Sequence, residues 1–204
     1  MVATTRTTAR TLWVSARAIV LFTVVTGVLY TLVITGIGQL AMPSQANGAL
    51  VRDEAGEVVG SSLIGQPFTD ADGAPLAEYF QPRPSAAGDG YDGQASSGSN
   101  YGTENADLIA AVEERIAQVS EFNGVSADEV PADAVTASAS GLDPHISPEY
   151  AAIQVQRVAE ARGLDVAEVE TLVAEHTSQP LLGYMGAPVV NVLELNLALD
   201  ELEG

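Results

Sequence analysis

Hydrophobic residues follow two patterns along this chain, one long uninterrupted run near the start and shorter periodic stretches after it. Residues 18–38, AIVLFTVVTGVLYTLVITGIG, carry no charged side chain over 21 positions. As a helix the run would be about 31 Å long, close to the roughly 30 Å hydrocarbon core of a bilayer, and a helix satisfies its own backbone polar groups in lipid. The pattern therefore predicts a transmembrane helix over 18–38, preceded by residues 1–17 and followed by a domain of residues 39–204.

Small residues recur at four-residue spacing inside this run, at Gly27, Thr31 and Thr35. In a membrane helix such residues let a neighbouring helix approach closely. The spacing is compatible with a helix-packing face and equally with simple exposure to lipid.

The distribution of charge around the run predicts its orientation. Three arginines and no acidic residue precede it, whereas five arginines and all 27 acidic residues follow it, which leaves a net charge of −22 beyond the run. The positive-inside rule then places the N-terminus in the cytoplasm and the domain on the extracytoplasmic side. The alternative is a cleaved secretory signal peptide with a site at Ser44-Gln45-Ala46, although the apolar run is longer than such peptides usually have.

The domain begins with extended and irregular segments. Residues 43–50 are polar and look like a short linker, and residues 49–64 predict a hairpin of two short strands with a turn between Val51 and Val58. A Gly, Ser, Pro, Asn and Asp-rich stretch follows over 81–105. Long loops of this kind are either disordered or ordered for a function, here docking onto a partner.

Helical patterns dominate the rest of the domain. Apolar residues at helical spacing predict one helix over about 108–119, and helix-capping residues predict two more, from Ser147 to Gly163 and from Asp165 to about His176. Ser126 and Glu129 have the spacing of a capping box. The final segment predicts a strand over 189–193 and then alternates ambiguously between strand and helix, so the fold class expected is α+β.

Composition excludes several kinds of chemistry. The chain has no Lys and no Cys, so it has neither a phosphate-binding lysine nor a thiolate nucleophile, and its net charge of −19 makes nucleic acid an unsuitable partner. Two His residues are too few for a recognisable metal site. No catalytic or metal-binding residue is therefore expected.

Asp143 and His145 lie in a loop that also contains serines. With Ser138, Ser140 or Ser147 they could form a Ser-His-Asp arrangement, provided that the groups converge in space. The alternative is that the acid and the histidine bond to the loop backbone near a helix end. A secreted or membrane-anchored hydrolase or binding protein is thus the competing functional class.

Four blocks in one order behind a single apolar run carry a family resemblance. They are YFQPRPSA (79–86), SSGSNYG (96–102), TASASGLDPHISP (136–148) and VNVLELNLALD (190–200). Together they closely resemble the C subunit of Kdp-type potassium-transporting ATPases, over nearly the whole chain. The resemblance implies a cell-membrane accessory subunit that does no bond chemistry itself and that supports assembly of a high-affinity potassium uptake complex.

The same resemblance implies partners and ligands. The partners are the ion-conducting, potassium-binding subunit, the P-type ATPase subunit and membrane lipid; potassium is the transported ion, and the C subunit acts as a catalytic chaperone that raises the affinity for ATP. Because ATP is cytoplasmic and the domain is expected outside, we expect this effect to be transmitted through the membrane span and through docking on the ion-conducting subunit. The acidic surface is expected either to concentrate potassium or simply to confer solubility.

The resemblance and the small-residue face together give a set of docking candidates. These are Gly27, Thr31, Arg83, Ser85, Ser99, Asn100, Asp143 and His145.

Overall fold

A long helical run forms the N-terminal unit. The computed structural model describes residues 3–53 and 55–202 and divides into two units, Met1–Ala49 and Leu50–Gly204. The run consists of α1 (Ala3–Phe22), a π-helical segment (Thr23–Leu29) and α2 (Tyr30–Ala41). Within the described residues, one helix, Thr7–Ala41, is long and apolar enough to cross a membrane.

This helix extends beyond both ends of the predicted segment 18–38. Its 35 residues correspond to about 50 Å of helix at 1.5 Å per residue, more than the roughly 30 Å of a hydrocarbon core. None of its most apolar window is buried inside the protein, so the side chains are available to lipid or to another helix. Which residues lie within the bilayer stays a prediction.

The π-helical segment lies in the middle of the apolar run and contains Gly27. The N–H of Tyr30 donates to the carbonyl of Val25, five residues back. Thr26 Oγ1 donates to the Phe22 carbonyl at 2.6 Å and Thr31 Oγ1 to the Gly27 carbonyl at 3.0 Å, so hydroxyls share the backbone acceptors of this segment. Gly27 and Thr31 therefore stay on adjacent turns despite the change of helix type.

The expected linker over 43–50 is not wholly irregular. Its first residues form α3 (Pro43–Ala46), where proline occupies the first turn because its missing N–H costs nothing there. The predicted hairpin follows and is confirmed, with β1 (Leu50–Arg52) antiparallel to β2 (Val58–Ser61).

The helices of the second unit end where local residues predict. In α4 (Ala106–Asn123), Asn105 Oδ1 accepts from two N–H groups of the first turn, and Gly124 ends the helix at a φ of 67°. A 3-10 turn, Ala127–Glu129, carries the predicted capping box and precedes α5 (Ala132–Val135).

The two helices that were predicted from capping residues are also confirmed. Ser147 and Gly163 bound α6 (Pro148–Arg162), and Asp165 caps α7 (Val166–Glu175). The ambiguous C-terminal segment is β5 (Val189–Asn191) followed by α8 (Val192–Leu202). It is helical because Leu195 and Leu199, one turn apart, are both fully buried.

A three-stranded antiparallel sheet contains a strand that was predicted to be loop. Its order is β3-β5-β4, where β3 is His145–Ile146 and β4 is Thr177–Ser178. Each outer strand has two residues, and only pairing with β5 makes either of them extended. The α+β class predicted from the sequence is confirmed.

The core of this unit forms where the helices pack around the sheet. It contains few aromatic side chains, as the composition requires, and its largest fully buried apolar residues are Phe80, Ile146, Leu195, Leu199, Val158, Val169 and Val190.

Candidate functional site

The stretch 81–105 contains no helix or strand, yet it is ordered against a second loop, residues 136–147; we call the region where they meet the loop junction. Ser97 N–H and Ser96 Oγ both donate to the Ser140 carbonyl at 2.9 Å, and Ser85 Oγ donates to the Gly141 carbonyl at 2.6 Å. Both loops come from blocks that carry the family resemblance. The stretch therefore has a defined conformation, and its docking role stays a prediction.

Arg83, Asp143 and His145 come together at this junction. Arg83 Nη1 donates to Asp143 Oδ2 at 3.0 Å, and Arg83 also donates to the Thr136 carbonyl through Nε and Nη2. The His145 N–H donates to Asp143 Oδ1 at 3.0 Å, and His145 Nδ1 lies 3.4 Å from the same oxygen. One carboxylate thus joins an arginine from the first loop to a histidine at the end of the second.

The surroundings of Asp143 favour its ionised form. The hydrogen bond from the His145 side chain lowers the pKa of the carboxyl below its usual value, burial opposes this, and the His145 N–H and the Arg83 charge act in the same direction as the first cause. A lowered pKa in the folded state means that the stabilisation is present above the unfolded-state pKa and is lost as pH falls through the folded one.

The lowered pKa of Asp143 gives a pH-dependent prediction. We expect Asp143→Asn to lower the urea midpoint of the full-length chain at pH 7, and the difference from wild type to shrink below the ordinary aspartate value of 3.8. Far-UV circular dichroism in detergent would measure both midpoints. Asp89→Asn, an exposed carboxylate on the first loop, is the matched control. A difference that stays constant from pH 7 to pH 3 would contradict the assignment.

Hydrogen bonds within the first loop also hold its conformation. Ser85 Oγ accepts from the N–H groups of Ala87 and Tyr91, and the Tyr91 hydroxyl donates to the Arg83 carbonyl. Burial raises the pKa of the Tyr91 phenol, which therefore stays a neutral donor. The loop thus presents a fixed surface.

Buried polar side chains hold the start of this loop against the helices, and sequence reasoning missed them. Asn196 Oδ1 accepts from the Phe80 N–H at 2.8 Å and its Nδ2 donates to the Phe80 carbonyl at 3.0 Å, while Gln154 forms the same pair of bonds with Gln81. The available signal was the presence of polar residues on apolar helix faces, since Gln154 lies between Ala151 and Val158.

A hydrolytic Ser-His-Asp arrangement is not assembled. Ser147 Oγ donates to Asp133 at 2.8 Å and accepts from the Tyr150 N–H at the start of α6. Ser138 and Ser140 bond to each other at 3.2 Å. Across residues 3–53 and 55–202, no hydrogen bond joins His145 to any of these three serines, so the loop lacks the base-to-nucleophile contact that a triad needs.

The remaining docking candidates form no hydrogen bond to Arg83, Asp143 or His145 among the described residues. Ser99 and Asn100 are exposed on the first loop, and Asn100 adopts a φ of 53° while its Nδ2 bonds to the Gly98 carbonyl. Gly27 and Thr31 belong to the other unit. The structure therefore brings four candidates, including Ser85, into the loop junction, and the docking role of all eight stays a prediction. Among the described residues, no group of three or more His, Asp or Glu could hold a metal ion.

Comparison with known proteins gives one consistent result. Residues 12–201 match the family described as KdpC, K+-transporting ATPase, c chain. A protein of Mycobacterium tuberculosis is 52% identical over 185 residues, 90% of this chain and 94% of its own length. A Caulobacter vibrioides protein is 54% identical over 181 residues, 88% of this chain and 87% of its own length. Both are named potassium-transporting ATPase KdpC subunit.

Proposed function

The chain belongs to the KdpC family, the c chains of K+-transporting ATPases, and from this membership we propose that it is an accessory subunit that supports assembly and raises the ATP affinity of the catalytic subunit. The observation that carries the proposal is the extent of the match, because residues 12–201 include the whole apolar run 18–38 and nearly all of the second unit. In this role potassium and ATP are handled by neighbouring subunits.

The proposed partners are the ion-conducting subunit and the P-type ATPase subunit of the complex. We place the N-terminus in the cytoplasm, because the arginines before the helix and the acidic excess after it follow the positive-inside rule. The second unit is then extracytoplasmic. Gly27 and Thr31 would pack against a partner helix. The loop junction, with the His145 ring at its surface, and the exposed Ser99 and Asn100 of the first loop would dock on an extracytoplasmic face.

An indirect effect on ATP is supported by the state of the cationic side chains. A triphosphate site normally needs free donors from basic residues or a helix N-terminus. The sequence has no Lys, and every arginine of the second unit bonds to an acceptor within that unit. These residues are Arg52, Arg83, Arg115, Arg157 and Arg162. We therefore propose that ATP affinity changes through contact between subunits.

The function is tested by comparing the complex with and without this chain. We expect that omission reduces recovery of the assembled complex and raises the KM for ATP of what remains, with a smaller change in kcat, because the chain supplies no catalytic group. ATPase assays on purified complex at saturating potassium measure both constants. An unchanged KM in a fully assembled complex would contradict the chaperone role.

Topology decides between direct and indirect action. In sealed cells, protease added outside should cleave the second unit and leave residues 1–17 protected. Labelling of this chain by a photoreactive ATP analogue, together with protection of the second unit from outside protease, would overturn the indirect mechanism.

A further inference from the structure

An exposed apolar tip projects from the sheet. The strands β4 and β5 form a hairpin whose base pairs Thr177 with Val190, and residues 181–188 beyond it are all exposed. Four large apolar side chains lie there, with exposed fractions of 68% for Leu181, 73% for Leu182, 75% for Tyr184 and 54% for Met185. We call these four residues the apolar tip. Contiguous exposed apolar side chains of this size mark interaction sites on folded proteins.

The tip has a defined conformation. Leu181 and Met185 form an antiparallel bridge, with the Met185 N–H donating to the Leu181 carbonyl at 3.0 Å. Leu182 and Gly183 between them have φ values of 57° and 78°. A leucine in the left-handed region is strained, and such strain is concentrated at sites that bind. A tip that is already ordered loses less entropy when it enters a fitted pocket.

Charge around the tip restricts what can bind it. Residues 177–193 carry no charged side chain, in a chain of net charge −19. No arginine or lysine follows Arg162, whereas eight acidic residues do. The tip is therefore a neutral apolar projection from a strongly acidic part of the domain.

We propose that the apolar tip inserts into an apolar pocket, rimmed by neutral or basic groups, on the extracytoplasmic surface of another subunit of the same complex. This inference rests on the proposed function, which supplies the complex. The charge-free tip and the acidic residues that precede and follow it in the sequence complement such a pocket, and the fixed turn matches a site of defined shape. Tyr184 would be the central anchor, because tyrosine is enriched at the energetically dominant positions of interfaces.

The same observations disfavour two other binding partners for the tip, an anionic lipid surface and a second copy of the chain. An anionic lipid surface attracts basic residues and repels acidic ones, and the segment after Arg162 offers only acidic charge. A second copy of the chain would bring two equally acidic surfaces together.

Site-specific photocrosslinking in the intact complex tests the proposal. A benzophenone amino acid would replace Tyr184 in the full-length chain, and the same replacement at Ile109, which is 47% exposed on α4 and belongs to no proposed docking surface, is the matched control for exposed apolar residues. We expect a crosslink from position 184 to another subunit of the complex. A crosslink to lipid or to a second copy, or none at all, would overturn the proposal.

A charge variant gives an independent readout. Because Leu182 and Tyr184 are exposed, L182D/Y184D should leave the circular dichroism and urea midpoint unchanged while reducing recovery of this chain with the complex by about tenfold or more. Full recovery of the folded variant would overturn the tip assignment and leave the proposed function intact. Failure of the wild-type chain to join the complex would instead contradict the proposed function.

Discussion

Replacing Arg157 by Met is expected to destabilise the second unit by about 3–5 kcal/mol, because each buried polar group that loses its hydrogen-bond partner costs about 1–3 kcal/mol. Arg157 lies on α6 and is 8% exposed. Its guanidinium donates to Asn123 Oδ1 at 2.9 Å, to Gln154 Oε1 at 2.8 Å and to the carbonyls of Tyr79 and Ala77. Met has a similar length but no donor, so Asn123 Oδ1 and the two carbonyls would lose the Arg157 donor, and Gln154 Oε1 would keep only the Gln81 N–H.

The environment of Arg157 explains why this residue type is required. Burial lowers the pKa of its guanidinium to about 10, so it remains charged at neutral pH. Its Cζ also lies 4.3 Å from the centre of the Phe122 ring, which adds a cation–π contact. Only the planar guanidinium group, which carries several N–H donors, can reach acceptors on three segments at once.

Urea-dependent pulse proteolysis of the full-length chain in detergent would measure the loss. Arg115→Met is the matched control, because Arg115 makes one hydrogen bond, to the Val135 carbonyl at 3.0 Å, and its removal should cost about 1 kcal/mol. An equal loss of unfolding free energy in the two variants would show that the buried hydrogen bonds of Arg157 do not stabilise the second unit.

The second large effect is expected for Gly141→Ala, at about 3 kcal/mol or more. A Cβ added at Gly141 would lie 2.5 Å from the Ser97 carbonyl oxygen and 2.7 Å from the Ala87 nitrogen, both backbone atoms of the first loop. The residue also has a φ of 69°, which costs a residue with a Cβ roughly 1–2 kcal/mol. Relieving the overlap would separate the two loops and break the bonds of the loop junction.

Gly163→Ala isolates the contribution of backbone strain. Gly163 has a φ of 68° at the end of α6, and nothing lies within 4 Å of an added Cβ there. We expect it to lose about 1 kcal/mol and to leave the first loop resistant to protease, whereas Gly141→Ala should make residues 81–105 cleavable under native conditions. A similar loss of unfolding free energy in both alanine variants would contradict the prediction that an added Cβ at Gly141 collides with the first loop.

The elements that could be predicted from the sequence are those specified by neighbouring residues. Asn105, Ser147 and Asp165 each cap the helix that follows within three residues, and Gly124 and Gly163 end helices by adopting positive φ. The apolar run similarly needs no distant partner, because a helix satisfies its own backbone.

The elements that were missed depend on residues far away in the chain. β3 is extended only because His145 and Ile146 pair with Asn191 and Val190, which no local pattern indicates. The candidate site divides in the same way. Motif blocks identified Arg83, Asp143 and His145, but not that one carboxylate would join them across 60 positions of sequence separation.

The bond pair between Asn196 and Phe80 has a consequence for biogenesis. The N–H and C=O of the buried Phe80 are satisfied by a side chain 116 positions later, in α8. A polypeptide emerging vectorially from a translocon would therefore hold an incomplete domain until residue 196 has passed through. With the second unit extracytoplasmic, as proposed above, its native tertiary structure would form only after this segment has been translocated, so no finished domain would have to pass through the channel.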